Sequence, residues 1–402
     1  MSVLAFWTRA QPLVVGFGAL YLATVALLTI PWFQSQAVYL HSARLPLFAE
    51  YECPEKYGLA RNPNKTRNLY IRTPDGETLG AWFVLSDAYY QSAASLERSW
   101  DDDVRRALEA YPTILFLHGN AATRAQSTRV MHYSMFSSRL HANVLVIDYR
   151  GFGDSTGTPS ESGLATDARA AWGWLIENGA RQEDVVVMGH SLGTGVAGRL
   201  TADLEREGSK PRGLVLLNPF TSMLKLLETY QFLGVVPLLG PLHALPFVPK
   251  LVAMILRHQF DTISLVPKFT TDIIIASSDT DIEIPASHAE ALFDAFIAPH
   301  LPPEQTPPAG CTQHTTPCSP LRCRLDWKRF IDEVAMRKQM RADLVHTTEI
   351  LRFGTMSVFI DDAVANRKVL YVRTHVGGHN EVGLQEGLQD IIGSTMGFLS
   401  SR

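Results

Sequence analysis

Cysteine is scarce in this chain. Its 402 residues hold four, Cys53, Cys311, Cys318 and Cys323, too few for a disulfide-built scaffold. Charge of one sign is also missing: the net charge of −4 leaves no nucleic-acid footprint, so no nucleic-acid partner is expected. No internal repeat is present, which excludes solenoids and propellers. The 46% hydrophobic content is ample for a core, and the length allows one large domain or two.

One long apolar run stands out. Residues 13–30 are uncharged and almost wholly apolar, and Pro31-Trp32-Phe33 follow. Eighteen such residues are about enough to cross a bilayer, and Trp7, Trp32 and Phe33 sit where interfacial aromatics lie. The run is expected to be a retained membrane anchor, residues 1–37 with a span of about 13–33. A cleaved signal peptide competes, because Ser35-Gln36-Ala37 resembles a small-residue cleavage site. Arg9 before the span and Arg44 after it leave orientation open, while the sequon Asn64-Lys65-Thr66 fits a luminal body.

Beyond the anchor, residues 38–402 read as one body. Asn68-Leu69-Tyr70-Ile71-Arg72 and residues 79–85 flank the turn Pro74-Asp75-Gly76 and predict a hairpin. Residues 87–111 are polar and acidic and read as a solvated excursion. Short apolar runs at 113–117, 143–148, 184–188, 213–218, 272–276 and 369–374 alternate with helical stretches at 122–140, 165–178, 286–297 and 384–399. This alternation predicts a mostly parallel sheet with helices on both faces. Residues 326–352 read as helix. Residues 219–267 interrupt the alternation with proline-broken apolar pieces too short to span a bilayer. They read as a cap that packs on the core, lines an acyl channel or dips into the membrane interface. Residues 299–325, rich in Pro, Thr and Cys, read as an insertion. There Cys311, His314, Cys318 and Cys323 match no standard zinc spacing, so no metal or other cofactor is expected.

The chemistry centres on Gly189-His190-Ser191-Leu192-Gly193, between the apolar run 184–188 and the small residues 194–200. This is the G-x-S-x-G elbow, where a strand turns sharply into a helix and lifts a serine hydroxyl clear of the sheet. A serine nucleophile needs a base, and the base an orienting carboxylate. The order Ser…Asp…His is that of the α/β-hydrolase fold, with both partners after late strands. Asp281 and His379 meet that requirement; Asp279 and His375 are the alternatives. Asp281 is preferred for the Ile282-Glu283-Ile284-Pro285 that follows it, and His379 for the two glycines before it. The oxyanion donors expected are the N–H groups of Leu192, after the nucleophile, and Asn120, after His118-Gly119. His118 is a further candidate base, but its place before Gly119 argues for shaping the loop.

Asp148-Tyr149-Arg150-Gly151-Phe152-Gly153-Asp154-Ser155, Gly157-Thr158-Pro159-Ser160-Glu161, Gly189-His190-Ser191-Leu192-Gly193-Thr194-Gly195-Val196-Ala197 and Pro219-Phe220-Thr221 closely resemble the α/β-hydrolase-domain-containing protein 12 group. The resemblance covers roughly residues 65–300 and 365–400. It implies a serine hydrolase anchored in the endoplasmic-reticulum membrane, acting on monoacylglycerols and lysophospholipids, notably lysophosphatidylserine. It carries over Ser191, Asp281 and His379 as triad and Asn120 with Leu192 as oxyanion pair. The motifs also fit the protein 13 and protein 17 groups, whose Gly-His-Asn is closer to Gly378-His379-Asn380; the cysteine-bearing insertion has no recognised counterpart. An acyl-protein thioesterase is therefore the second reading, and a non-enzymatic binding protein the third.

Overall fold

The centre of the molecule follows from its shortest apolar runs. Strands β3 (Thr113–Leu117), β4 (Asn143–Ile147), β5 (Val185–His190), β6 (Gly213–Leu217) and β9 (Ile273–Ser278) are buried along their whole length. Burial on both faces is what parallel strands covered by crossover helices require. The computed structural model describes residues 11, 15–16, 18–21, 23–59, 65–92, 99–229, 231–232, 236–237, 248–308 and 321–398.

The remaining strands are β1 (Thr66–Arg72), β2 (Thr78–Val84), β7 (Gln231–Phe232), β8 (Val236–Pro237), β10 (Val345–Ile350), β11 (Gly354–Asp361) and β12 (Arg367–Thr374). Of the twelve strands among the described residues, ten form one sheet, in the order β1-β2-β4-β3-β5-β6-β9-β12-β11-β10; β7 and β8 pair separately. The run from β4 to β12 is parallel, and the outer strands at each edge are antiparallel. The hairpin β1–β2 turns where Pro74-Asp75-Gly76 placed it.

Leu115, Leu145 and Val187 face one layer with Leu164, Ala168 and Trp172 of helix Glu161–Glu177 and Val196 and Leu200 of helix Leu192–Arg206. Phe116, Val146 and Met188 face the other, with Tyr133 and Phe136 of helix Ser127–Arg139 and Leu388 and Ile392 of helix Glu386–Thr395. Each Leu, Val, Ile, Phe or Met among them contributes roughly 1.5–3 kcal/mol by leaving water.

Three expectations are revised or fall outside the described residues. The predicted helix over 326–352 ends early: helix Leu321–Leu344 gives way to β10, and β11 was not expected. Val345, Thr347, Thr348 and Ile350 are β-branched, and pairing with β11 supplies the backbone partners that helix continuation would have. At the N-terminus, no single helix among the described residues is long and apolar enough to cross a membrane. A pair, Gly18–Leu27 and Pro31–Tyr39, passes jointly but is bent by 98°. Pro31 explains the break, since the residue before a proline is driven out of the helical region, and Ile30 has φ −83°, ψ 127°. Asn64, Cys311, His314, Cys318 and cap residues 230, 233–235 and 238–247 lie outside the described residues, as does the side chain of Cys323.

Candidate active site

The parallel strands end at one edge of the sheet, and every candidate residue follows such an end. Asn120 follows β3, Ser191 β5, Asp281 β9 and His379 β12. β3 lies between β4 and β5, so the strand order reverses there, which is where open α/β sheets leave a crevice for ligands.

Ser191 has φ 53° and ψ −122°, in the left-handed half of backbone space. Its neighbours explain how the turn closes. A Cβ on Gly189 would lie 2.3 Å from the Gly193 carbonyl oxygen, and one on Gly193 would lie 2.0 Å from that of Leu117. Glycine is thus required at both places by backbone contact. The Ser191 N–H donates to the Leu217 carbonyl at 3.0 Å, and the Thr194 hydroxyl donates to the Ser191 carbonyl at 2.6 Å. Leu192 opens helix Leu192–Arg206, so its N–H has no intrahelical acceptor and sits at the positive end of the helix.

His379 sits in the short helix Gly378–Glu381, reached through Gly377 (φ 126°) and Gly378 (φ 52°). Its Nδ1 is 2.8 Å from Asp281 Oδ2. Asp281 is fixed in turn: its Oδ1 accepts from the N–H groups of Glu283 at 2.8 Å and Ile284 at 2.9 Å. The His379 carbonyl accepts from Asn218 Nδ2 at 2.7 Å and from His190 Nε2 at 2.8 Å. A carbonyl accepts only, so His190 carries its proton on Nε2. Burial first, then the neighbouring His379 and His132, pushes His190 well below the ordinary histidine range. His190 thus sits in the turn beside Ser191 and grips the loop of His379, with the two rings 5.1 Å apart. Ser191, Asp281 and His379 are buried to similar degrees, 8%, 8% and 9% exposed.

The alternatives lie apart from this pair. Asp279 is bound by Arg373 Nε at 2.5 Å and faces His375 Nδ1 at 3.4 Å. Burial alone would raise Asp279, but Arg373 and His375 hold it below the usual carboxylate range. His118 is fully buried, its Nδ1 2.7 Å from the Gly119 carbonyl oxygen and its ring 4.5 Å from that of Tyr149. It lies inside the loop, as its place in sequence argued.

That loop abuts the serine: a Cβ on Gly119 would lie 3.1 Å from Ser191 Cβ. Beneath it, Asp148 accepts from Arg124 N at 2.7 Å and Arg124 Nη1 at 2.6 Å. Gly153 (φ 52°) must be glycine, since its Cβ would come within 2.2 Å of Asp148 Oδ2. Arg150 reaches Asp75 and Asp167. The motif running from Asp148 to Ser155 is thus a structural knot under the loop.

The sequence reading gave no role to three residues near the site. Asn218, at the end of β6 with φ 48°, holds the carbonyls of Gly378 and His379. Glu283, half-exposed, places Oε2 3.6 Å from His379 Nε2. Arg129 binds carbonyls of the loop after β3. Polarity at a strand end was the available signal for Asn218. An arginine beside Val130, Tyr133 and Phe136 on the buried face of a mixed polar and apolar helix was the signal for Arg129. Chemically, a raised hydroxyl, a carboxylate-oriented imidazole and free amides at a helix start form a set suited to acyl transfer.

Comparison with known proteins bears on this set. A family profile described as alpha/beta hydrolase fold matches residues 112–260. The chain is 36% identical over 229 residues to lysophosphatidylserine lipase ABHD12 of Xenopus tropicalis, covering 56% of this chain and 57% of that protein. It is 30% identical over 287 residues to the Danio rerio protein of the same name, covering 71% and 72%. To human protein ABHD12B it is 30% identical, covering 64% and 68%. Among solved structures, an alpha-beta hydrolase from Vibrio vulnificus superposes with a TM-score of 0.51 at 16% identity, covering 90% of this chain and 94% of that one. That likeness supports the fold alone.

Proposed function

The chain belongs to the ABHD12 family of α/β hydrolases, and on that premise we propose that it is a serine hydrolase cleaving acyl esters of single-chain glycerolipids. The substrates are monoacylglycerols or lysophospholipids such as lysophosphatidylserine, the lipid in its relatives' names. The observation that carries the reading is the 2.8 Å contact of His379 Nδ1 with Asp281 Oδ2, together with the positive φ of Ser191 in the elbow.

In this mechanism Asp281 keeps the proton on Nδ1, leaving Nε2 to take the Ser191 proton as Oγ attacks the ester carbonyl. The negative oxygen that forms is held by the N–H groups of Leu192 and Asn120. His379 then returns the proton to the departing glycerol oxygen, leaving the acyl group on Ser191. Water repeats the sequence: His379 takes its proton, the fatty acid leaves and Ser191 is restored. No cofactor enters this sequence.

Residues 1–37 act as the anchor, with the span at about 13–33, in the endoplasmic-reticulum membrane with the body luminal. Residues 38–402 form the hydrolase body, with the cap at 219–267 and the insertion at 299–325. Exposed Trp32, Leu47, Phe48 and Met254 support a body resting on the membrane interface. The anchor reading fails if the mature protein is found to begin near Val38.

The cap is apolar, and each acyl methylene it buries contributes about 0.8 kcal/mol, so longer chains should be favoured. The test is kcat/KM across a chain-length series of monoacylglycerols and lysophospholipids, beside a diacyl phospholipid, for wild type and Ser191→Ala. Rising values up to long chains, a poorer diacyl lipid and loss of at least about a thousandfold in Ser191→Ala are expected. A flat or falling series would reject the acyl channel. Preference for an acyl-cysteine peptide over every glycerolipid would mark a thioesterase.

A further inference from the structure

The loop that carries Asn120 is strained and is gripped from two directions. Ala121 and Ala122 have φ 52° and 51°. Left-handed backbone is unfavourable for a residue with a side chain, and it persists where the surroundings over-determine it. Here both kinds of backbone group are held.

The carbonyls are held by Arg129, from helix Ser127–Arg139. The side chain is buried, and its four hydrogen bonds all end on this loop. Nη1 donates to the Thr123 carbonyl at 3.1 Å; Nη2 donates to those of Gly119 at 3.2 Å, Asn120 at 2.9 Å and Ala121 at 2.9 Å. A planar guanidinium presents its donors in a fixed fork, which a lysine cannot copy.

The N–H groups are held by the segment that follows the apolar N-terminal run. Ala121 N–H donates to the Tyr39 carbonyl at 2.8 Å, Ala122 N–H to that of Ala43 at 2.8 Å and Thr123 N–H to that of Leu45 at 3.1 Å. The same segment is tied to the base of the cap: the Tyr39 hydroxyl lies 3.1 Å from His258 Nδ1, and Arg257 N–H donates to Gln34 Oε1 at 2.7 Å. The strap takes the amides after Asn120, Arg129 takes the carbonyls around it, and Gly119 rests on Ser191.

We propose that Arg129 is a positioning residue: together with the strap from Tyr39 to Leu45 it aims the Asn120 amide at the oxygen that turns negative during acyl transfer. The proposal rests on the reading of Ser191 as nucleophile and of the Asn120 and Leu192 amides as its oxyanion donors. It also makes the segment next to the anchor part of the catalytic apparatus, joined to it by backbone hydrogen bonds.

The test uses the full chain with Arg129→Met, Arg129→Lys and Ser191→Ala, assayed on one lysophospholipid. Active sites are counted by end-point labelling with a fluorophosphonate, so that turnover refers to folded, reactive enzyme. Arg129→Met should lower kcat per labelled site by about a hundredfold, the scale of misplacing one oxyanion donor, with KM changed less than about threefold. Arg129→Lys should recover only part of the loss. Wild-type kcat per labelled site in Arg129→Met overturns the proposal, whatever its melting temperature. Should Arg129→Met fail to fold, Arg129→Lys decides: a loss of about tenfold or more supports the fork, and wild-type kcat overturns it. Hydrolysis surviving in Ser191→Ala would overturn the underlying reading of the site instead.

Discussion

His379 meets a carboxylate on each ring nitrogen, Asp281 at 2.8 Å from Nδ1 and Glu283 at 3.6 Å from Nε2. The two carboxylates differ in freedom. Asp281 is pinned by two backbone N–H groups, while Glu283 is half-exposed and can turn into water when Nε2 faces Ser191. Other histidines govern stability instead. Burial pushes His132 and His288 down to about 4, so both are neutral in the fold at neutral pH. In the unfolded chain they protonate near the ordinary 6.5, so below that pH the unfolded state binds more protons. The stability they contribute is full above about 6.5, falls as pH drops towards about 4 and is flat below. The unfolding free energy from urea titrations at about pH 7.5, 5.5 and 4.5 should decline, by on the order of 1–3 kcal/mol for His132 alone. His132→Gln should flatten the decline; an unchanged slope would contradict this assignment. Strand ends offered Asp279 or Asp281 and His375 or His379; the Ile282–Pro285 run and the two glycines before His379 pointed to the pair that meets at 2.8 Å. Arg129 and Asn218 were not, because a side chain bound to backbone carbonyls leaves no spacing in the sequence.

At the scale of elements, the elbow shows why its pattern was readable. A strand packed against a helix start leaves no room for a Cβ at Gly189 or Gly193, so steric need writes glycine into the sequence. Gly193→Ala, whose Cβ would lie 2.0 Å from the Leu117 carbonyl oxygen, should destabilise by more than about 3 kcal/mol or abolish folded expression. Gly173 is the contrast. It lies within helix Glu161–Glu177 with nothing within 4 Å of its Cβ position, so Gly173→Ala should stabilise by about 0.5–1 kcal/mol. Thermal unfolding of the two variants checks both signs, and a neutral Gly193→Ala would contradict the packing argument. Buried strands announced themselves as short apolar runs. β10 and β11 did not: β10 is mostly exposed, with Val345 alone buried, so it lacks the alternation that marks a half-buried strand. The bend at Pro31 was visible as a proline, but composition alone ran the helix through it.

At the scale of the whole molecule, the sheet brings together groups distant in sequence, and the N-terminal segment joins them to the region next to the apolar run. Tyr39, Ala43 and Leu45 bind the loop after β3, while Gln34, Ser35 and Tyr39 reach Ile255, Arg257 and His258 at the base of the cap. Membrane contact, cap and oxyanion loop are therefore proposed to act as one unit. The apolar character of the cap was legible, but its proline breaks hid how its pieces fold. The strap was hidden too, since carbonyl acceptors are the same in every residue. The central claim is that acyl esters are cleaved through Ser191, and the most direct measurement is mass spectrometry of the enzyme quenched in acid during turnover of a long-chain lysophospholipid. The account predicts a peptide containing Ser191 heavier by one fatty acyl group less a proton, absent in Ser191→Ala and enriched when His379 is replaced after acylation is forced with an activated ester. An acyl group found on another residue, or steady hydrolysis by Ser191→Ala with no acylated peptide, would contradict it.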